Sequence, residues 1–224
     1  LSIHSFFSHP RIIQMYSHFE INHKIYIVME YAKKGDHPDL ASAIPRTGFN
    51  GEDEQTAAKY IFQIADALHY CHSKNLVHRD VKTSNILVDA YGDLKLCDFG
   101  YSVRFPQSKR RTTFCGTLDF LAPEMVRNKG RKYVMDGKHV DLWALGVVAY
   151  KIVTGTLPFV STARDEEENE EEIKNKITTG MYNVPPRVPG GARRLIGQLL
   201  KVEPENRLSL ERVMTHPWIV QYNQ

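Results

Sequence analysis

Two short stretches near the start of the chain, residues 12–16 and 25–30, are dense in Ile, Val, Met and Tyr, with the polar pair Asn22-His23 between them. That pattern predicts two strands joined by a turn. Residues 33–51 are polar, punctuated by Gly and Pro, and read as a connection. From Asp53 the period lengthens, and Ala57, Tyr60, Ile61, Ile64, Ala65 and Leu68 share one face of a helix. Asn50 is its candidate cap, with Asp53 and Glu54 well placed at its positive end. Residues 86–88 and 94–96 flank Asp89-Ala90-Tyr91-Gly92 as a hairpin. Residues 140–154 form a largely apolar helix that Gly155 ends, too short for a membrane span and suited to the buried centre of a helical domain. Shorter helices are expected over 192–200 and 208–214, the second just before His216-Pro217-Trp218. Residues 165–172 hold seven carboxylates broken only by Asn169, and their mutual repulsion predicts a solvated loop. No internal repeat is visible.

Composition narrows the class. The chain has 224 residues, 42% hydrophobic and 25% charged, enough apolar material for a sizeable core. A net charge of +3 is too small to point to nucleic acid. Cys71, Cys97 and Cys115 are scattered without zinc spacing and read as free thiols in a reducing, intracellular compartment. His69, Cys71 and His72, and the four histidines between His4 and His23, also lack metal spacing. No apolar run approaches the roughly 20 residues that cross a bilayer, and the start has no secretory pattern. A leucine at position 1 makes a fragment the expectation.

The candidate chemistry lies in His78-Arg79-Asp80-Val81-Lys82-Thr83-Ser84-Asn85 and, beyond the hairpin, in Asp98-Phe99-Gly100. Phosphoryl transfer needs an acid near the incoming hydroxyl, a cation to balance phosphate charge and oxygen ligands for magnesium; Asp80, Lys82, Asn85 and Asp98 are those residue types. The hairpin sets Asn85 and Asp98 at neighbouring strand ends, converging on one metal. The first run resembles the catalytic loop of eukaryotic protein kinases, and the triplet resembles their metal-binding turn. Within that superfamily the chain is most similar to the Aurora kinases. The similarity rests on Tyr70-Cys71-His72-Ser73-Lys74, Arg110-Arg111-Thr112-Thr113-Phe114-Cys115-Gly116-Thr117-Leu118-Asp119-Phe120, Ala122-Pro123-Glu124 and Val140-Asp141-Leu142-Trp143.

The resemblance implies an α+β, protein-kinase-like fold with a mostly helical C-lobe and a partial β N-lobe lacking the first strands. Residues 1–32 would be that partial N-lobe and the hinge. Residues 33–224 would be the C-lobe with catalytic loop, activation segment and acidic insert. It implies ATP and Mg2+ as cofactors, and Asp80, Lys82 and Thr117 as catalytic residues, with Lys82 arguing for Ser/Thr acceptors. Asn85 and Asp98 would hold the metal. Met29, Glu30, Ala32 and Leu87 would line the adenine site, with Met29 behind the base, hinge backbone groups from Glu30 and Ala32, and Leu87 as the floor. Met15, His78, Phe99 and His4 would stack as a spine. Thr113, with Thr112 its lesser neighbour, would be the phosphorylated activation-loop residue, its charge met by Arg79 and Arg111. Glu124 and Arg207 would form a buried structural pair, and Asp141 would be structural. Cys97, just before Asp98, would face the nucleotide, either as a thiol open to an ATP-site electrophile or as an inert buried one.

The chain departs from the family too. Thr83-Ser84 stand where these kinases read Pro-Glu, so the glutamate that commonly binds an arginine upstream of the target is replaced by an uncharged serine. Leu118 still matches the platform for the residue after the target, whereas Tyr101 replaces the Aurora tryptophan. The glycine-rich loop, strand lysine and helix glutamate would all lie upstream of Leu1. This stretch alone is therefore expected to bind ATP weakly, to transfer phosphate poorly and to leave apolar N-lobe surface exposed. The expected partners are proteins phosphorylated on Ser or Thr and Aurora-type activators, with no nucleic acid and no membrane. By analogy the location is cytoplasm and nucleus, at spindle, centrosome or chromosomes. The alternative is a non-catalytic, pseudokinase-like scaffold or binding protein.

Overall fold

The apolar stretch over residues 140–154 folds as a helix buried along almost its whole length. A computed structural model describes residues 8–33, 51–104, 117–128 and 137–223. Its elements are β1 Met15–Ile21, β2 Lys24–Met29, α1 Gly51–Ser73, β3 Leu76–Val77, β4 Ile86–Val88, β5 Leu94–Leu96, β6 Val103–Arg104, α2 Pro123–Arg127, α3 Gly137–Thr154, α4 Glu166–Thr179, α5 Gly190–Leu199, α6 Leu210–Met214 and α7 Pro217–Tyr222. Because α3 is apolar on every side, it can be stable only at the centre, and α1 and α5 pack on it. Trp143 is fully buried there and stacks on Phe159, with ring centroids 5.5 Å apart. The expected helical face of α1 is buried, and Glu54 Oε2 accepts from both Trp218 Nε1 and Tyr222 OH at 3.0 Å, tying α7 to it. At the start of α5, Gly191 has no Cβ because Trp218 occupies that space, 2.6 Å from where one would stand.

The strands form three antiparallel pairs: β1 with β2, β3 with β6, and β4 with β5. In the β4–β5 turn Asp89 Oδ1 accepts from the backbone N–H groups of Tyr91 and Asp93, and Gly92 supplies φ +81°. The β1–β2 turn has both Asn22 and His23 at positive φ, the geometry that suits a two-residue hairpin.

Two expectations are corrected here. The first strand runs 15–21, not 12–16. Ile12 and Ile13, each 1% exposed, lie against β5 instead: Ile13 N–H bonds Leu96 O (3.0 Å) and Leu96 N–H bonds Arg11 O (2.8 Å). The acidic stretch is a helix, not a loop. Asp165 caps α4 by accepting from Glu167 and Glu168 N–H, and Gly180 ends it at φ +67°. Lys174 and Lys176 neutralise Glu170 and Glu172 one turn earlier, while Ile173 and Ile177 are buried.

Candidate active site

The loop after β3 is held from below by one carboxylate. Asp141 on α3 is fully buried; its Oδ2 accepts from His78 N–H (2.9 Å) and His72 Nε2 (2.8 Å), and its Oδ1 accepts from Arg79 N–H (2.8 Å). These bonds hold Arg79 at φ +67°, a conformation non-glycine residues seldom adopt. His78 carries the order outward. Its Nδ1 accepts from Asp80 N–H (3.3 Å), its Nε2 donates to Cys97 O (3.0 Å), and its ring meets Phe99 edge-on at 4.8 Å. Burial lowers the His78 pKa, so at neutral pH the ring holds one proton, matching one accepted and one donated bond.

Above this base the predicted groups meet. Lys82 Nζ lies 2.9 Å from Asp80 Oδ2 and donates to Thr117 Oγ1 at 3.5 Å. Asn85 Nδ2 donates to Asp80 O (2.8 Å) and to its Oδ2 (2.9 Å). With its amide nitrogen turned to Asp80, Asn85 points its oxygen elsewhere, and oxygen is what a hard cation takes. The Cys97 N–H bonds Asn85 O at 2.9 Å, so Asp98 follows the residue paired with Asn85. Asp98 stands at φ +59°, with Oδ1 accepting from Gly100 N–H at 3.1 Å. Among the described residues no group of three or more His, Cys, Asp or Glu side chains could cage a metal. An amide and a carboxylate fit an ion that keeps waters and phosphate oxygens as its other ligands.

The remaining candidates are dispersed around this centre. Met29 ends β2 and is 47% exposed, Ala32 is buried, and Leu87 is half-buried between the core-facing Ile86 and Val88. Lys95, the strand partner of Leu87, pairs with Glu30 at 2.6 Å, which joins the β4–β5 hairpin to the end of β2. Glu30 N–H already bonds Gln14 O (2.8 Å), leaving the carbonyl as the group it can offer a ligand. Glu124 and Arg207 form two parallel bonds of 2.7 and 2.6 Å, both side chains buried. Arg79 Nε donates to Tyr101 O at 2.8 Å. Thr112, Thr113, Arg111 and His4 lie outside the described residues. Burial, and Asp98 beside it, push the Cys97 thiol up to about 12, which favours the inert reading over the reactive one. The sequence patterns gave neither His72 nor Lys151 a part in the site, although His72 Nε2 bonds Asp141 and Lys151 Nζ donates to Thr83 Oγ1 at 3.3 Å. No spacing signal could reveal them, because their partners lie 69 and 68 positions away.

The family model of the protein kinase domain matches residues 1–219. The chain belongs to the protein kinase family. Among curated relatives of this kinase domain, the Aurora/IPL1-related protein kinase 2 of Caenorhabditis briggsae is 42% identical over 219 residues, covering 98% of this chain and 67% of the relative. The Aurora kinase of Schizosaccharomyces pombe is 42% identical over 222 residues, 99% of this chain and 58% of the relative. Aurora kinase A-A of Xenopus laevis is 40% identical over 225 residues, 100% and 51%. The domain is thus Aurora-like, and it spans between half and two thirds of the length of these relatives. No helix among its described residues is long and apolar enough to cross a membrane.

Proposed function

We propose that the chain supplies the catalytic centre of an ATP- and magnesium-dependent protein kinase of Aurora type that phosphorylates Ser or Thr. One observation carries the reading: Lys82 bridges the Asp80 carboxylate and the Thr117 hydroxyl. Asp80 receives the proton of the acceptor hydroxyl, oriented by Asn85 Nδ2 and by the neutral His78 beneath it. Lys82 balances charge on the phosphoryl group in transit, and Thr117 keeps Lys82 directed at the acceptor. Asn85 and Asp98 would hold magnesium, which supplies charge neutralisation on the phosphate oxygens when bound. Residues 1–32 serve as small lobe and hinge, with Met29, Ala32, Leu87 and the Glu30 carbonyl around the adenine. Residues 33–224 serve as the large lobe. Phosphate on Thr113, or less so Thr112, would draw Arg79 and Arg111 together and order the substrate platform. Residues 1–224 contain neither a glycine-rich loop nor a strand lysine to grip ATP, and by themselves they are expected to transfer phosphate slowly.

The test is phosphate transfer from ATP to Ser, Thr and Tyr peptides by the full-length protein. Asp80→Asn is expected to lower kcat by about 10²- to 10⁴-fold, with Ser and Thr preferred over Tyr. An unchanged rate in Asp80→Asn overturns the mechanism. ATP that raises the melting temperature without any turnover would favour a scaffold instead.

A further inference from the structure

Lys151 occupies the last turn of α3 and its amine donates to Thr83 Oγ1 at 3.3 Å. Thr83 opens the 3-10 turn Thr83–Asn85 just beyond Lys82; it is buried, while Ser84 after it is exposed. The charge of Lys151 also reaches Asp119, in the 3-10 turn Leu118–Phe120 that begins next to Thr117. Burial raises the half-buried Asp119 carboxyl, and the Lys151 charge opposes that rise. Half-buried Lys151 is therefore bonded to one segment beside Asp80 and within electrostatic reach of the other, and the exposed Ser84 follows its partner Thr83. The surface beside the Asp80 loop thus has a built-in cation, and Ser84 adds no negative charge to it.

We propose that Lys151, with uncharged Ser84 beside it, makes this site select acceptor sequences carrying an anionic side chain, a carboxylate or a phosphate, near the modified Ser or Thr, in place of an arginine. The inference rests on the kinase reading above. It assigns Lys151 a specificity role that its bond to Thr83 does not by itself require. A cation here attracts an anion and repels a guanidinium, and discrimination arises from both effects.

The full-length protein is offered peptides with one Ser acceptor and Glu, phosphoserine, Arg or Ala at each flanking position in turn. At one or more positions, Glu or phosphoserine is expected to exceed Arg in kcat/KM by about five-fold or more, the scale of a partly exposed ion pair. Phosphoserine ahead of Glu would identify phosphate as the preferred anion. Lys151→Arg is expected to keep the ranking, and Lys151→Glu combined with Ser84→Glu to reverse it toward Arg. A purely structural lysine would alter turnover of all the peptides alike and leave the ranking intact. Wild-type preference for Arg, or an unchanged ranking in the doubly substituted protein, overturns the proposal. If no peptide is turned over, the kinase reading fails, and fluorescence anisotropy of the same peptides decides this one separately. Tighter binding of anionic peptides that reverses in the double variant sustains it, and equal binding overturns it.

Discussion

Asp93, in the turn between β4 and β5, shows how one side chain can join three parts of the chain. Its Oδ1 takes bonds from Lys59 (2.7 Å) and Gln63 (2.8 Å) on α1, and its Oδ2 pairs with Arg11 (2.7 Å) ahead of β1. Gln63 also accepts from Leu94 N–H at 2.8 Å, so helix and hairpin are tied twice. Burial would raise the Asp93 carboxyl, but the bonds from Lys59, Arg11 and Gln63 outweigh it and hold the pKa well below the usual carboxylate range. A depressed folded pKa contributes stability that is full above the unfolded value of about 4 and is lost as pH falls through the folded one. Asp93→Asn is therefore expected to lower the urea midpoint at pH 7, with the gap to wild type closing as pH drops below about 4. A gap independent of pH would show that the charge is not what matters. Asp141 works differently, because it meets two backbone N–H groups and a histidine inside the core, where no water can replace it.

At the scale of elements, α4 is the most informative. The signals for a helix were all in the sequence: Asp165 ahead of the first turn, Ile173 and Ile177 four apart, Lys four after Glu twice, and Gly180 at the end. Charge density alone favoured a loop, and it lost because the first three glutamates lie at the positive end of the helix, where their repulsion is offset. Asp165→Ala removes the cap and is expected to cost about 1 kcal/mol, read as a shift in thermal unfolding. No measurable shift would mean that Ile173 and Ile177 alone hold the helix. The register of β1 was less legible. Ile12 and Ile13 carry the strongest apolar signal, yet they serve β5, and the paired strand contains the polar Ser17, His18 and Glu20.

For the whole molecule, burial is uneven. Among the described residues the helical part buries most of its apolar side chains, whereas Tyr16, Phe19, Ile25 and Ile27 on the β1–β2 hairpin are 65%, 46%, 58% and 46% exposed. Phe19 and Tyr26 stack at 5.3 Å, which covers each only in part. Such a concentration of apolar surface is unusual on a monomer in water. Residues 1–224 in isolation are expected to enhance the fluorescence of a hydrophobic dye, and Phe19→Ser with Ile25→Ser to reduce that signal by about half. Dye binding unaffected by both changes would place the exposed surface elsewhere.

Residue type and order alone determined the chemistry proposed for this chain. Asp80, Lys82, Asn85 and Asp98 are close enough in sequence for a loop and a hairpin to gather them, and short-range geometry is what local patterns encode. The family likeness and the central helix were legible for the same reason. Only the tertiary structure decided what supports and surrounds that centre. The clamp of Asp141 on the loop and the meeting of Lys151 with Thr83 depend on helices packing around α3, whereas the pair of Glu124 with Arg207, 83 positions apart, was legible only through the family likeness. Those contacts join residues far apart in the chain, and apolar periodicity specifies which face is buried without naming the partner it meets.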